Sequence, residues 1–269
     1  MRLSLAIVTR NSSQYIETLL KVGRGLADEV VVAVDASSSD ATEEICEKYA
    51  DKLFKFAPIP NPERPLGWLN RQCSGDWILR LDDDELPSAG LVRKLPELLR
   101  DRDMTHYWLR RRWVVGRNSQ SWIHQRPWWP DWQLRLFRNI PSIVHVPGTL
   151  HTSYLVQGAY RYLTGASLYH FDLVYHSREE RLQKIARYRQ VAGDASGAEF
   201  YLTPEELPPA VGSVSLPPFP LDDLPARAPS AWELTRSRWD RPFARLLGRK
   251  RSAKGGEPEL ATSEDLLLS

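Results

Sequence analysis

Short apolar segments alternate with amphipathic segments along the first hundred residues. Apolar runs at positions 3–9, 30–34, 53–56 and 77–81 predict four strands. Helical patterns follow at positions 11–20, 40–49 and 89–100, where Asp40 with Glu43 predicts a capping box and Ser88 a third helix cap. Strands that alternate with helices in this way predict an α/β fold, with a Rossmann-like, mostly parallel sheet and helices on both faces.

Polar residues directly follow three of these strands, at positions 9–11, 35–37 and 82–85. In parallel α/β sheets, ligands bind beyond the carboxyl ends of the strands. We therefore expect the three polar clusters to converge at one edge of the sheet and to form the functional site there.

The second half of the chain changes pattern twice. Positions 105–115 alternate aromatic and basic residues before a turn near positions 116–119, which predicts antiparallel strands added to the sheet. Positions 179–191 predict an amphipathic helix that buries Leu182, Ile185 and either Tyr188 or Ala186. Seven prolines between positions 208 and 229 then interrupt any regular element.

This change predicts two parts: a folded domain of residues 1–204, and an extended C-terminal tail of residues 205–269 that is partly ordered at best. The tail carries a basic patch, which suits contact with an anionic membrane, at Arg249, Lys250, Arg251 and Lys254.

The composition is that of a soluble globular protein, with 42% hydrophobic and 26% charged residues among 269. A formal net charge of +2 excludes a protein that binds polyanions through its overall positive charge. Two cysteines cannot build a disulfide framework, and the first apolar run predicts a strand, not a signal peptide. We expect a cytoplasmic protein, with peripheral contact at the inner face of the membrane through the tail.

Four adjacent carboxylates, Asp82, Asp83, Asp84 and Glu85, end the fourth strand. Like charges repel one another unless a cation compensates them, and oxygen ligands select a hard ion such as Mg²⁺ or Mn²⁺. Alternation along a strand places Asp82 and Asp84 on the same side and Asp83 on the other. The alternative is a solvated acidic turn, which the buried strand before the cluster disfavours.

Three further positions are candidates for chemistry. Asp35, followed by Ser37, can accept hydrogen bonds from a base or a ribose, or can belong to a capping loop. Asp131 lies among tryptophans, where desolvation would raise its pKa and suit a general base, or it pairs with Arg135 or Arg138. His170, which follows an apolar run, is the best placed histidine for a metal site, although a lone histidine is often structural.

Five segments, at positions 5–11, 32–42, 75–85, 129–138 and 168–184, resemble family 2 glycosyltransferases of the GT-A fold, over about residues 3–190. The resemblance implies inverting transfer from a UDP- or GDP-sugar to a glycan, glycolipid or protein acceptor. It also implies that Thr9, Asn11, Asp35 and Asp82 bind the nucleoside, that Asp84 binds the metal and that Asp131 is the base. To these we add Ser37 and Asp83 as further nucleotide-sugar ligands and His170 as a second metal ligand.

Two other functions fit parts of the pattern. A nucleotidyltransferase also binds metal-bound phosphates on a parallel sheet, but it usually has a glycine-rich loop after the first strand, and positions 9–13 contain no glycine. A non-catalytic carbohydrate- or RNA-binding module could use the basic and aromatic residues at positions 110–113. The near-neutral charge and the acidic cluster argue against nucleic acid as a partner.

Overall fold

The N-terminal half forms alternating strands and helices, as the sequence predicts. The computed structural model describes residues 1–58, 65–116, 121–147, 154–192, 197, 200–206 and 260–261. The elements of this half are β1 (Leu3–Thr9), α1 (Ile16–Leu26), β2 (Glu29–Asp35), α2 (Thr42–Tyr49), β3 (Lys52–Phe56), α3 (Leu66–Gln72), β4 (Trp77–Asp82), β5 (Glu85–Pro87) and α4 (Ala89–Arg100).

Strands β1 to β4 form a parallel sheet in the order β3, β2, β1, β4. In this register Val8 lies opposite Asp82 and Thr9 lies opposite Val34, so the carboxyl ends of β1, β2 and β4 meet at one edge. The predicted convergence of three polar clusters is therefore confirmed.

The second half extends this sheet. Its elements are β6 (His106–Val115), β7 (Ser121–Trp122), β8 (Asp131–Arg138), β9 (Val144–His145), β10 (Leu155–Val156), β11 (Tyr160–His170), α5 (Asp172–Tyr175), α6 (Arg178–Ala192), a 3-10 turn (Pro204–Glu206) and β12 (Leu260–Ala261). Strand β8 runs antiparallel to both β4 and β6, which confirms the predicted antiparallel addition. Strand β11 runs parallel to β6, and its last residues pair with β5.

Apolar clusters cover both faces of the sheet, as predicted. Helices α1, α2 and α4 bury their apolar residues against one face, together with Trp77 and Tyr107. Helix α3 packs on the other face, against Ile78 and Phe137. A third cluster forms around Trp113 and includes Ile185 and Tyr188 of α6.

Three local predictions differ from the structure. Helix α1 begins at Ile16 and not near position 11, because Asn11 has a φ of 50° and residues 13–15 form a turn before the helix. The capping box is wrong: the Asp40 side chain accepts from Thr42, while Glu43 pairs with Lys55 at 2.7 Å.

In α6 the predicted burial of Ile185 and Tyr188 is confirmed, but Leu182 is 39% exposed. Helix α3 was not predicted from the sequence. The cap of α4 is confirmed, since Ser88 Oγ accepts from the backbone of Leu91.

The predicted tail lies almost entirely outside the described residues. Its proline-rich stretch and its basic patch fall there, as does most of the turn expected at positions 116–119. Within the described part of the chain, no helix combines the length and the apolar character that crossing a membrane requires.

Candidate active site

Three buried side chains from separate segments meet beyond β4. Backbone pairing of β5 with β11 sets His170 opposite Glu85, and the Phe171 amide donates to the Asp84 carbonyl at 2.9 Å. One ligand atom from each of Asp84, His170 and Asp172 lies within 4.8 Å of the other two. The structure thus brings together the two predicted metal ligands and adds Asp172 to them.

Asp84 Oδ1 contacts His170 Nε2 at 3.2 Å, so these two residues pair with each other. His170 Nδ1 and Asp172 Oδ2 are buried and have no hydrogen-bond partner among the described residues. Buried polar atoms are normally satisfied, so such a cluster suggests a missing partner. Two carboxylates and an imidazole are suitable donors for a divalent cation such as Mn²⁺ or Mg²⁺. The residues present therefore fit a metal ion.

Cationic side chains partly balance this acidic cluster. Lys184 Nζ and His176 Nδ1 both contact Asp172 Oδ1, the latter at 3.2 Å. Burial acts to raise the pKa of Asp172, but these cations outweigh it and lower that pKa. Asp172 is therefore ionised, and its second oxygen is available to a cation.

Asp83 lies on the β1 side of the cluster. Its Oδ2 accepts from Thr9 Oγ1 at 2.8 Å, and Thr9 also contacts Ser12. Burial and the neighbouring charge of Asp84 raise the pKa of Asp83 to about 7. A cationic ligand or a bound metal would relieve that repulsion, so this side of the site favours positive charge.

Asp82 and Glu85 form ion pairs with arginines and do not belong to the group of Asp84, His170 and Asp172. Glu85 is fully buried and accepts from Arg135 at 2.9 Å through both oxygens, while Arg80 pairs with Asp82 at 2.7 Å. The expectation that Asp82 and Asp84 share one side is wrong, because β4 ends at Asp82 and the chain then turns. The alternation rule does not extend through a turn.

A β-bulge positions Arg135 for this contact. The pairing of β6 with β8 passes from Leu136 opposite Tyr107 to Leu134 opposite Trp108, which leaves Arg135 without a partner in the ladder. Such an extra residue bends a strand and redirects a side chain, often beside an active site.

Asp131 is held by three donors at the start of β8. Arg111 Nε and Trp113 Nε1 donate to its Oδ2 at 2.7 and 2.8 Å, and Gln133 donates to its Oδ1 at 2.6 Å. The predicted rise in its pKa is wrong: burial raises that pKa, but Arg111 and the other donors lower it overall.

The predicted pairing of Asp131 with Arg135 or Arg138 is also wrong. Its ionic partner is Arg111, whereas Arg138 donates to backbone carbonyls of Met104 and Asp101.

The nucleotide-side candidates form a loop network at the same edge. Asp35 Oδ1 accepts from both the amide and the hydroxyl of Ser37, which satisfies part of its hydrogen-bonding capacity locally. Asn11 Oδ1 accepts from the Ser39 amide and so ties the end of β1 to the end of β2. Thr9, Asn11, Asp35 and Ser37 thus belong to one adjoining set of loops.

Sequence reasoning gave too little weight to some residues of this site. Asp172 follows His170 by two positions after a strand, a spacing that could have indicated a second ligand. Lys184 and Arg111 carried no comparable signal, since their acidic partners are twelve and twenty residues away along the chain. His151, an alternative histidine, lies outside the described residues.

Comparison with known proteins places the chain in a family. Residues 4–161 match the sequence profile described as Glycosyl transferase family 2. The chain belongs to this family. The resemblance inferred from the five sequence segments is therefore confirmed, and the mixed α/β sheet is the expected GT-A fold.

Curated relatives of this family 2 chain include an uncharacterised glycosyltransferase of Rickettsia bellii, 30% identical over 112 residues. The match covers 39% of this chain and 35% of that protein. A counterpart from Rickettsia conorii is 27% identical over 106 residues, covering 39% of this chain and 37% of the relative. The aligned part spans about a third of the length of these relatives.

The solved structures that resemble this chain do so with low TM-scores and low sequence identity. The S. aureus TarS 1-349 structure has a TM-score of 0.44 at 14% identity, covering 93% of this chain and 76% of that one. Glucosyl-3-phosphoglycerate synthase of Mycobacterium tuberculosis, solved with Mn²⁺, UDP and glucosyl-3-phosphoglycerate, has a TM-score of 0.32 at 20% identity. That likeness covers 43% of this chain and 45% of the synthase. At these values the likeness does not extend the family assignment.

Proposed function

We propose that this family 2 chain transfers a sugar from a nucleoside diphosphate sugar to an acceptor hydroxyl, with inversion and with help from a divalent cation. The observation that carries the proposal is the buried group of Asp84, His170 and Asp172 at the carboxyl edge of the sheet. A nucleotide-binding edge beside a cation site is the arrangement that such a donor requires.

The loops that follow β1 and β2 are the proposed nucleoside side of the donor site. Thr9, Asn11, Asp35 and Ser37 offer hydroxyl, amide and carboxylate groups within one adjoining set of loops. Asp83, held by Thr9, lies between these loops and the cation ligands. A donor bound across this edge would have its base over β1 and β2 and its diphosphate near Asp84.

When bound, a divalent cation supplies charge neutralisation for the diphosphate that leaves. Asp84, His170 and Asp172 would hold it. Lys184, in contact with Asp172, adds positive charge to the same wall of the site. Lys184, together with a cation held by these carboxylates, would favour the extra negative charge that develops on the leaving group.

Asp131 is the proposed base. Trp113 donates to Asp131, and its ring meets the His170 ring edge-on with centroids 4.1 Å apart, so the base candidate is one side chain away from the cation ligands. Among the described residues Oδ1 receives one donor only, Gln133, which leaves room for an acceptor hydroxyl. The lowered pKa keeps the carboxylate ionised at neutral pH but also makes it a weak base.

In the proposed step the acceptor oxygen forms a bond to the anomeric carbon of the donor. The bond from that carbon to the diphosphate oxygen breaks, and its electron pair leaves with the nucleoside diphosphate. The hydroxyl proton passes to Asp131. Attack from the face opposite the leaving group inverts the anomeric centre.

A donor screen tests this function directly. The full chain is incubated with UDP- and GDP-sugars, with Mn²⁺ or with EDTA, and released nucleoside diphosphate is measured. We expect slow Mn²⁺-dependent release from one donor class, by transfer to water, even without the native acceptor. Failure of every donor to bind or to release nucleotide, with and without Mn²⁺, would contradict the proposal.

A further inference from the structure

Two exposed tyrosines and neighbouring half-buried tryptophans form a continuous row on the sheet extension. Tyr162 contacts Trp132, Trp108 and Tyr160, with ring centroids 4.7, 5.8 and 5.8 Å apart. Tyr160 is 54% exposed and Tyr162 47%, although tyrosines on a sheet face usually find cover. We call this row, together with Arg110 and Trp129, the aromatic track.

The aromatic track lies on the reverse side of the strands that hold Asp131. Along β6, Trp108 and Arg110 belong to one face, whereas Arg111 and Trp113, which contact Asp131, belong to the other. Trp108 and Trp129 pack in part against the buried clusters of the sheet, whereas Tyr160 and Tyr162 belong to none of these clusters. The exposure of the two tyrosines has no structural explanation in the described part of the chain.

The track runs from the catalytic edge down the sheet. Strand β8 begins at that edge with Asp131, and the next residue, Trp132, pairs with Arg110. Strand β11 ends at the same edge with His170 and begins with Tyr160, at the far end of the row. Since Tyr160 pairs with His106, four residues before Arg110, the row is about 13 Å long at ~3.3 Å per residue.

Arg110 gives the upper end of the track a charge. Its guanidinium carbon lies 4.8 Å from the Trp132 ring and 5.2 Å from the Trp129 ring. Its Nε is buried and has no hydrogen-bond partner, and no carboxylate of the described residues forms an ion pair with it. A guanidinium between two rings and without an acidic partner is suited to bind an anionic group.

We propose that the aromatic track binds the acceptor, and that this acceptor is an extended carbohydrate chain carrying an acidic group that Arg110 recognises. Flat rings in a row offer stacking surfaces to successive sugar rings, and the acidic group would reach Arg110 next to the catalytic edge. The inference rests on the proposed function, because the end of the acceptor that passes Arg110 would turn over the edge of the sheet to meet Asp131 on the other face.

Binding of two matched probes to the full chain tests the inference. One probe is a hexasaccharide of galacturonic acid and the other is the same hexasaccharide with its carboxyl groups reduced, so that only the charge differs. Isothermal titration of wild type should show tighter binding of the acidic probe, by about tenfold, which corresponds to ~1.4 kcal/mol.

Three variants assign the binding to the track. Arg110→Gln should remove the preference for the acidic probe, and Tyr162→Ala should weaken both probes about tenfold. The matched control is Arg161→Gln, because Arg161 lies between the two track tyrosines in sequence but acts on Tyr107, on the other face. It should leave both affinities unchanged. Tyr160→Ala repeats the ring test if Tyr162→Ala lowers the melting temperature.

Several results would overturn the inference. Equal affinity for the two probes, absence of binding to either, or an Arg161→Gln loss as large as that of Arg110→Gln would each do so. Sedimentation with phosphatidylglycerol vesicles is measured in parallel: vesicle binding that Tyr162→Ala abolishes, without hexasaccharide binding, would identify a membrane surface instead. UDP titration with Mn²⁺ on the same samples separates this inference from the proposed function. If wild type does not bind UDP, the proposed function is contradicted, but acceptor binding by the aromatic track is not.

Discussion

Replacement of Glu85 by glutamine should destabilise the fold and leave the cation site intact. Glu85 is fully buried, and its oxygens accept from Arg135 Nε and Nη2 at 2.9 Å, from Arg111 at 3.3 Å and from the Asp82 amide at 3.1 Å. Glutamine has nearly the same shape, but it removes the charge and replaces one acceptor oxygen by a donor NH₂ group. In either orientation of the glutamine side chain, its NH₂ group faces N–H donors of the arginines or of the Asp82 backbone, and two donors cannot form a hydrogen bond with each other.

The expected cost follows from this geometry. Removing one partner of a buried ion pair typically costs ~3–5 kcal/mol, and the remaining oxygen of glutamine places this change at the lower end, about 3 kcal/mol. For a chain of this size each 1 kcal/mol lowers the melting temperature by ~2–4 °C, so a decrease of about 6–12 °C is expected. The matched control is Glu44→Gln, because Glu44 pairs with Lys48 on the surface, where both side chains are more than half exposed.

Thermal melting and urea titration of both variants check this reasoning. The Glu44→Gln variant should melt with wild type. Unchanged melting of Glu85→Gln, together with loss of Mn²⁺ affinity, would refute the account, because it would make Glu85 a cation ligand and not the buried partner of Arg135.

Three further changes have defined outcomes. Asp131→Asn should lower kcat at least about a hundredfold with donor affinity within a few-fold of wild type; loss of donor affinity together with stability would make it only a partner of Arg111. Glu29, whose pKa is lowered to about 2 by Lys52, Ser4 and Ser74 against the effect of burial, stabilises the fold above pH ~4.5, so the urea-measured deficit of Glu29→Gln should shrink as pH falls from 4.5 towards 2. A deficit independent of pH would contradict this. Gly75→Ala should lower the unfolding free energy by ~1–3 kcal/mol, because a Cβ there would lie 2.7 Å from the Ser4 amide nitrogen, and an unchanged urea midpoint would count against it.

The parallel half of the fold could be predicted because each strand is an uninterrupted apolar run. Strand β1 was predicted with its observed bounds, β2 is longer than predicted by one residue at each end, and β3 and β4 are each longer by one residue at one end. Helix α3 was missed because it is only seven residues long and contains Gly67 and Trp68, so it shows no clear period. A local sequence pattern therefore predicts only those strands and helices whose own residues show a clear period or an apolar run.

The site could be predicted only in part, for the same reason. Asp84 and His170 were identified because each follows an apolar strand. The partners of Asp131 and Glu85 were not, since Arg111 and Arg135 meet them only through the pairing of β6 with β8 and the bulge in β8. Contacts that depend on strand register cannot be derived from neighbours in the sequence. The pKa of Asp131 was predicted in the wrong direction because its ion pair was unknown.

The central claim is that Asp84 belongs to a buried cation site that the donor uses. The most direct measurement is isothermal titration of UDP in the presence and absence of Mn²⁺, for wild type, Asp84→Asn and Asp40→Asn. Asp40 is the matched control because it lies at the same edge but binds Thr42 and Ser13. We predict that Mn²⁺ strengthens UDP binding in wild type and Asp40→Asn, and that Asp84→Asn loses this effect while it still melts cooperatively. An equal effect of Mn²⁺ on Asp84→Asn and wild type would contradict the account.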